Sequence, residues 1–208
     1  MKRIIQIFFF IPFISLSQFI FADDAPLNGA ELTKKYCAEC HGETGNSTID
    51  RGGVIPNIAG FSAILIFDTL SQFKDGDRKA LAVKNKAGQL SNMSEISKKL
   101  SEQEAEAISL FLSEQKFTPT KQVDRSNDEK LAAQGKLLHQ DLCDDCHGEF
   151  GTSPVDDAPI LAGQGRAYLI RQFDQISKQE RYIPKRMKRK FRKLNNKDKL
   201  ALIEFYTK

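Results

Sequence analysis

Tyr36-Cys37-Ala38-Glu39-Cys40-His41-Gly42-Glu43 recurs 106 positions later as Leu142-Cys143-Asp144-Asp145-Cys146-His147-Gly148-Glu149. The likeness extends in both directions. A glycine stands eight residues before each first cysteine (Gly29, Gly135), and a leucine five before it (Leu32, Leu138). Downstream, a Pro-x-(Ile/Leu)-Ala-Gly stretch follows each histidine, as Pro56 to Gly60 and Pro159 to Gly163. A helical stretch then runs to about Arg78 or Arg181. Next come Met93 and Met187, each seven residues before a leucine (Leu100, Leu194), and Phe111 and Phe205 lie eleven beyond those leucines. The first half is longer, with 52 residues from His41 to Met93 against 40 from His147 to Met187. Nine of the twelve extra residues fall between Arg78 and Met93. Length changes confined to loops mark a duplicated domain.

Secondary structure reads as helical. Asn28 to Cys37 and Asp128 to Cys143 lead into the cysteine motifs, with Gly42 and Gly148 expected to end them. Ala63 to Phe73 and Ala167 to Ser177 are expected central helices. Ser101 and Glu104 form a capping box for a helix to about Gln115. Ala107, Ile108, Phe111 and Leu112 share a helical face, as do Ala201, Leu202, Phe205 and Tyr206. Lys116 to Asn127 holds Pro119 and no apolar period, which makes it the linker. The expected division is 1–22, 23–115, 116–127 and 128–208. Each repeat unit is small enough that a bulky apolar group would help complete its core.

Residues 1–22 read as a targeting segment. Lys2 and Arg3 precede an uncharged run from Ile4 to Phe21 that ends in Ala22, the anatomy of a secretory signal. A retained membrane anchor is the rival, and Gln6, Pro12, Ser15, Ser17 and Gln18 weigh against it. Either reading exports residues 23–208 to the periplasm, with membrane contact only if the segment is kept.

Composition narrows the classes. Of 208 residues, 40% are hydrophobic and 28% charged, which excludes a disordered tail or a membrane bundle. Formal charge is +4, too mild to imply nucleic acid. The charge is unevenly placed, however. Lys178 to Lys199 holds 11 basic and 2 acidic residues around Met187. That run is either a solvated helix face or a docking surface, near Lys185 to Lys193, that steers an acidic acceptor.

The rare residues carry the chemistry. C-x-x-C-H is the pattern of covalent haem c attachment. Residues three and four apart share a helical face, so Cys37, Cys40 and His41 can address one flat group, as can Cys143, Cys146 and His147. The thiols would form thioethers with the haem vinyl groups, and the imidazole would reach the iron. Three rivals compete with this pattern. A thioredoxin-like pair wants a preceding strand. A zinc site would need partners from the other half. Two disulfides would leave each histidine unexplained. Met93 and Met187 are candidate second axial ligands, because His/Met ligation is common in electron transfer; the bland alternative is a core gap-filler. His139 is the spare histidine, expected at the surface or flanking the motif; its counterpart is Thr33. A carbonyl in the Pro56 or Pro159 loop could accept the histidine's other ring proton, or these could be ordinary turn prolines.

With these residues in place the chain resembles a tandem of class I cytochrome c domains. It is similar to the dihaem cytochrome c-four family, and more closely to the cytochrome subunit of flavocytochrome c sulfide dehydrogenase. The closer likeness rests on Phe111 to Gln122 (FLSEQKFTPTKQ), Ile160 to Gln164 (ILAGQ) and Met187 to Leu194 (MKRKFRKL). The resemblance implies an all-α fold wrapped around two covalent haems, with Met93 and Met187 axial and Pro56 and Pro159 accepting from the histidines. It implies close crossing of the first and last helices at Gly29 against Phe111 and Gly135 against Phe205. It also implies electron transfer, with sulfide oxidation by a flavoprotein partner on a separate chain. A free carrier delivering electrons to a terminal oxidase shares the same site chemistry. A haem enzyme such as a peroxidase would need an open iron position and a distal acid–base group. The first half departs from the second, since Ile58-Ala59-Gly60-Phe61 lacks the glutamine of Ile160 to Gln164.

Overall fold

Asn28 opens the first helix by accepting from the Ala30 and Glu31 amides, satisfying donors that have no partner within the helix. In the computed structural model, which describes residues 27–47, 53–85, 87–121, 128–154 and 158–208, that helix is α1, Gly29–Tyr36. The targeting reading of 1–22 and the linker positions 122–127 lie outside the described residues. A short α2, Ala38–His41, carries the first motif and ends at Gly42, whose φ of 77° favours glycine. Ser62 caps α3, Ala63–Asp75. The insertion before Met93 folds into a small antiparallel hairpin of β1, Val83–Lys84, and β2, Leu90–Ser91, pairing Val83 with Ser91. Then come α4, Met93–Lys98, and α5, Glu102–Ser113, whose capping box joins Ser101 to Glu104 in both directions.

The second unit repeats the long helices of this order, without the hairpin among its described residues. Asp128 caps α6, Glu129–Leu142. A four-residue α7, Gly148–Gly151, follows, then α8, Arg166–Ser177, α9, Lys185–Phe191, and α10, Asn196–Tyr206. Gly148 does not end the helix that leads into the second motif. That helix stops at Leu142, because the Cys143 and Asp144 amides both turn back to the His139 carbonyl. Gly148 opens α7 instead, where Glu149 and Phe150 are left-handed at φ 52° and 59°. The turn through the motif is nevertheless the same in both halves. The amides of Cys40 and His41 both donate to the Cys37 carbonyl, and those of Cys146 and His147 to the Cys143 carbonyl.

Each unit is held by the crossing of its first and last helices, α1 on α5 and α6 on α10. Ile108 and Leu112 anchor the first core with Ile66, Leu70 and Leu100; Leu169, Leu202, Ile203 and Tyr206 anchor the second. Burying a Leu or Ile side chain contributes about 1.5–3 kcal/mol, so each small core rests on few residues.

His139 is not a surface residue. It is fully buried, and both ring nitrogens are engaged, Nδ1 with the Tyr206 hydroxyl at 2.8 Å and Nε2 with Asp144 Oδ1 at 3.0 Å. Its counterpart Thr33 is buried as well, so the repeat preserves burial here and not residue type. Leu112, one residue beyond Phe111, stands where Tyr206 follows Phe205; without a hydroxyl there, a histidine would be left unsatisfied.

The two units meet through a largely polar seam. Gln164, fully buried, accepts from the Asn57 amide at 3.1 Å and donates to the Asn57 carbonyl at 2.7 Å. Arg78 and Arg181, equivalent positions of the repeat, pair as an antiparallel bridge. The Tyr168 amide donates to the Gly53 carbonyl, and that of Thr120, in the expected linker, to the Gly163 carbonyl. Among the described residues no helix is long and apolar enough to cross a membrane.

Candidate haem sites

Burial decides the state of the first motif. Cys37 is 8% exposed, and burial pushes its thiol up to about 12, with Cys40 beside it adding to the rise. Burial also raises Cys143, against the opposing hydrogen bond from Tyr206. Redox-active Cys-x-x-Cys pairs need the opposite shift, toward thiolate. None of the four cysteines is in a disulfide. Among the described residues no three His, Cys, Asp or Glu side chains converge on a metal position.

His41 is buried and its Nδ1 donates to the Pro56 carbonyl at 3.0 Å. His147 does the same to the Pro159 carbonyl at 2.9 Å. A ring that donates from Nδ1 carries its lone pair on Nε2, so each carbonyl fixes the tautomer a metal would require. Burial holds His41 below its ordinary pKa, outweighing the bond to Pro56, which keeps the ring neutral at pH 7.

Both motifs face cavities. Cys37, Cys40, His41 and Met93 line one of 390 Å³, with Phe61, Leu65, Ile66 and Leu70 among its apolar walls. That volume is in the ordinary range for a cofactor pocket. Met93 opens α4, whose cap at Asn92 sets where the thioether enters the wall. Cys143, Cys146, His147 and Met187 line the second, a narrower cleft of 110 Å³, with Leu161, Leu169 and Leu202. Met187 is half-buried on α9. Haem suits both: a flat apolar body needing two adjacent thiols, one neutral imidazole and a soft sulfur donor. In the narrower cleft the donor set identifies the group more than the volume does.

Sequence reasoning missed the polar residues between the cavities. Tyr168, Gln172 and Arg181 line both, beside the expected Pro159, so the second unit completes the first unit's pocket. Burial would raise the Tyr168 hydroxyl, but Arg78, Arg181 and Arg171 outweigh it and hold it below its ordinary pKa. Burial, with Arg78 adjacent, pulls Arg181 down to about 9, still cationic at neutral pH. The only earlier sign of this cluster was that Arg78 and Arg181 close matching helical stretches.

The Cytochrome c family matches residues 27–116. Cytochrome c4 of Stutzerimonas stutzeri is 47% identical over 45 residues, 22% of this chain and 20% of that protein, so the matched segment spans about a fifth of the curated relative. Reduced recombinant cytochrome c4 from Pseudomonas stutzeri superposes with a TM-score of 0.65 at 27% identity, covering 86% of this chain and 95% of that one. Cytochrome c4 from Acidithiobacillus ferrooxidans gives 0.64 at 22% identity, over 83% of this chain and 98% of that one. A thiosulfate dehydrogenase from Marichromatium purpuratum gives 0.69 at 21% identity, over 86% of this chain but 39% of that one, a likeness of fold alone. The chain is thus a tandem with the class I cytochrome c fold, its residues 27–116 matching the cytochrome c family, and its cofactor is covalent haem c.

Proposed function

We propose that the chain is a periplasmic dihaem electron-transfer protein, acting as the cytochrome subunit that accepts electrons from a flavoprotein sulfide dehydrogenase. The domains are 23–115 and 128–208, joined by 116–127 after an export segment at 1–22. The observation that carries the electron-transfer reading is the saturated donor set: each cavity wall holds two thiols, a tautomer-fixed histidine and one methionine. Haem iron supplies a one-electron couple between ferric and ferrous states.

The chain's own residues do the rest. Cys37 with Cys40, and Cys143 with Cys146, would anchor the macrocycles as thioethers. His41 and His147 would offer Nε2 to the irons, their rings fixed by the Pro56 and Pro159 carbonyls. Met93 and Met187 would each offer a thioether sulfur from the cavity wall, a donor that favours the ferrous state. His139 offers no distal acid–base group, because both its ring nitrogens are engaged.

For the partner, α9 supplies the address. Lys185, Arg186 and Arg189 are exposed on it, with Arg192 and Lys193 just beyond, and Met187 lies half-buried among them. Such a patch beside a haem steers an acidic surface to its edge. Changing Lys188, Arg189 and Lys190 together to glutamine is expected to slow reduction by the native partner about tenfold at low salt and to flatten its salt dependence. Unchanged salt dependence in stopped-flow reduction would return α9 to a solvated face. The partner is tested by recovering the protein from its native periplasm. A co-purifying flavin-bearing chain that sulfide reduces supports the subunit. A dihaem chain that returns alone supports a free carrier delivering electrons to a terminal oxidase.

A further inference from the structure

His139 holds no metal position, yet it is fully buried on α6 against the second attachment turn. Its carbonyl accepts from the amides of Cys143 and Asp144 at 2.8 and 3.0 Å. Its ring ties that turn to α10, with Nε2 at 3.0 Å from Asp144 Oδ1 and Nδ1 at 2.8 Å from the Tyr206 hydroxyl. Phe205 and Phe150 pack on the ring with centres 5.7 and 6.2 Å away, which fixes its plane. Tyr206 is buried as well and lines the second cavity beside Cys143, whose sulfur its hydroxyl also reaches.

Hydrogen-bond chemistry gives this chain a direction. Burial holds the His139 ring below its ordinary pKa, outweighing Asp144 and the backbone of His147, so the ring carries one proton. A carboxylate only accepts, which puts that proton on Nε2 and leaves a lone pair on Nδ1. The single Tyr206 hydroxyl proton then has two acceptors in reach, Nδ1 and the Cys143 sulfur. A thioether sulfur is the weaker of these, so the proton goes to Nδ1. In the first unit the matching positions are Thr33, Ala38 and Leu112, which cannot form such a chain.

We propose that Asp144 and His139 form a relay that orients the Tyr206 hydroxyl, turning its oxygen and not its proton toward Cys143 and the second haem. His139 is a positioning residue that acts through Tyr206. This rests on the haem reading above. Oxygen lone pairs beside the attached haem stabilise ferric iron, whereas a hydroxyl proton there would stabilise ferrous iron. Hydrogen bonding around a haem is one of the levers on its potential. The relay therefore lowers the potential of the second haem and leaves the first alone, so that two haems with the same donor set come to differ.

The test uses the full chain matured with haem. Covalent haem is counted first: a wild-type chain without two haems refutes the haem reading and leaves the hydroxyl nothing to tune. Long-range proton–nitrogen spectra of the reduced wild-type protein should show His139 protonated on Nε2 alone. A proton on Nδ1 overturns the relay. Spectroelectrochemical titration then reads the ferric-to-ferrous ratio at the wild-type midpoint of the second haem. His139→Leu is expected to lower that ratio about threefold, by freeing the hydroxyl proton to turn to sulfur, with the first haem unchanged. Tyr206→Phe should lower it by less, and the double variant should match Tyr206→Phe. A wild-type ratio in His139→Leu overturns the proposal. So does a His139→Leu effect that is undiminished in the Tyr206→Phe background, which would make His139 a packing residue. If His139→Leu fails to retain the second haem, Asp144→Ala decides, because Asp144 is half-exposed. It should lower the ratio more in the wild-type background than in Tyr206→Phe. An equal fall in both is a bare charge effect and overturns the relay.

Discussion

Met187→Ala is expected to convert one of the two haems from a closed to an open iron, with both macrocycles still attached. The side chain is half-buried in the wall of the second cavity, facing a cleft that also holds His147. Alanine leaves a void that no apolar neighbour can fill with a donor. Carbon monoxide added to the reduced protein should then saturate the second haem and leave the first, for which Met93 is the proposed ligand, untouched. The second potential should fall, because a thioether ligand is what raises it. One complication is chemical: Lys190 also lines the cleft, and its amine could close the iron. The double variant Met187→Ala/Lys190→Gln removes that route. His139 is no substitute, being locked between Tyr206 and Asp144. If the double variant bound no carbon monoxide and kept a native spectrum, the axial assignment of Met187 would be wrong.

That experiment depends on a site whose parts were unequally legible. Residues acting within one repeat announce themselves by spacing. The cysteine pairs, the capping box at Ser101 and the helix faces around Ile108 and Leu202 are local patterns, set by helical period and orphaned amides. The carbonyls of Pro56 and Pro159 are less visible, since a turn proline and a histidine acceptor look alike until the loop is folded. Residues acting between repeats leave no such trace. Gln164 reads as one more loop residue, yet it clasps both backbone groups of Asn57 from 107 positions away. Its absence from the first half, which looked like a local departure, is a consequence of asymmetry: one domain supplies the side chain and the other the backbone. His139 misleads for the converse reason. Its polarity suggests the surface, and only Tyr206, 67 positions on, makes burial affordable.

The same dependence on distant partners makes Gly135→Ala the most damaging of the conservative changes. Local reasoning favours it, since alanine is better than glycine inside a helix by about 1 kcal/mol. Tertiary packing opposes it. A Cβ on Gly135 would stand 2.8 Å from Phe205 Cβ and closer still to the Ala201 carbonyl oxygen. Neither neighbour can turn away, because one is backbone and the other is the first atom of its side chain. The helices α6 and α10 must therefore separate, and overpacking of this kind costs about 1–3 kcal/mol or more. Separation also draws Tyr206 from His139, leaving a buried ring nitrogen unpaired at about 1–3 kcal/mol. The sum outweighs the gain in helix propensity. For a domain this size a net loss of about 2 kcal/mol lowers Tm by roughly 10 °C. Because Tyr206 and Leu202 also line the second cavity, second-haem content should fall while the first haem is retained. Gly29→Ala should show the mirror effect, with Phe111 Cβ at 2.7 Å and the first haem lost preferentially. Circular dichroism melts with haem counts decide it. A Gly135→Ala protein that melts within a degree or two of wild type with two haems would mean that the α6–α10 crossing is not what holds the second domain closed.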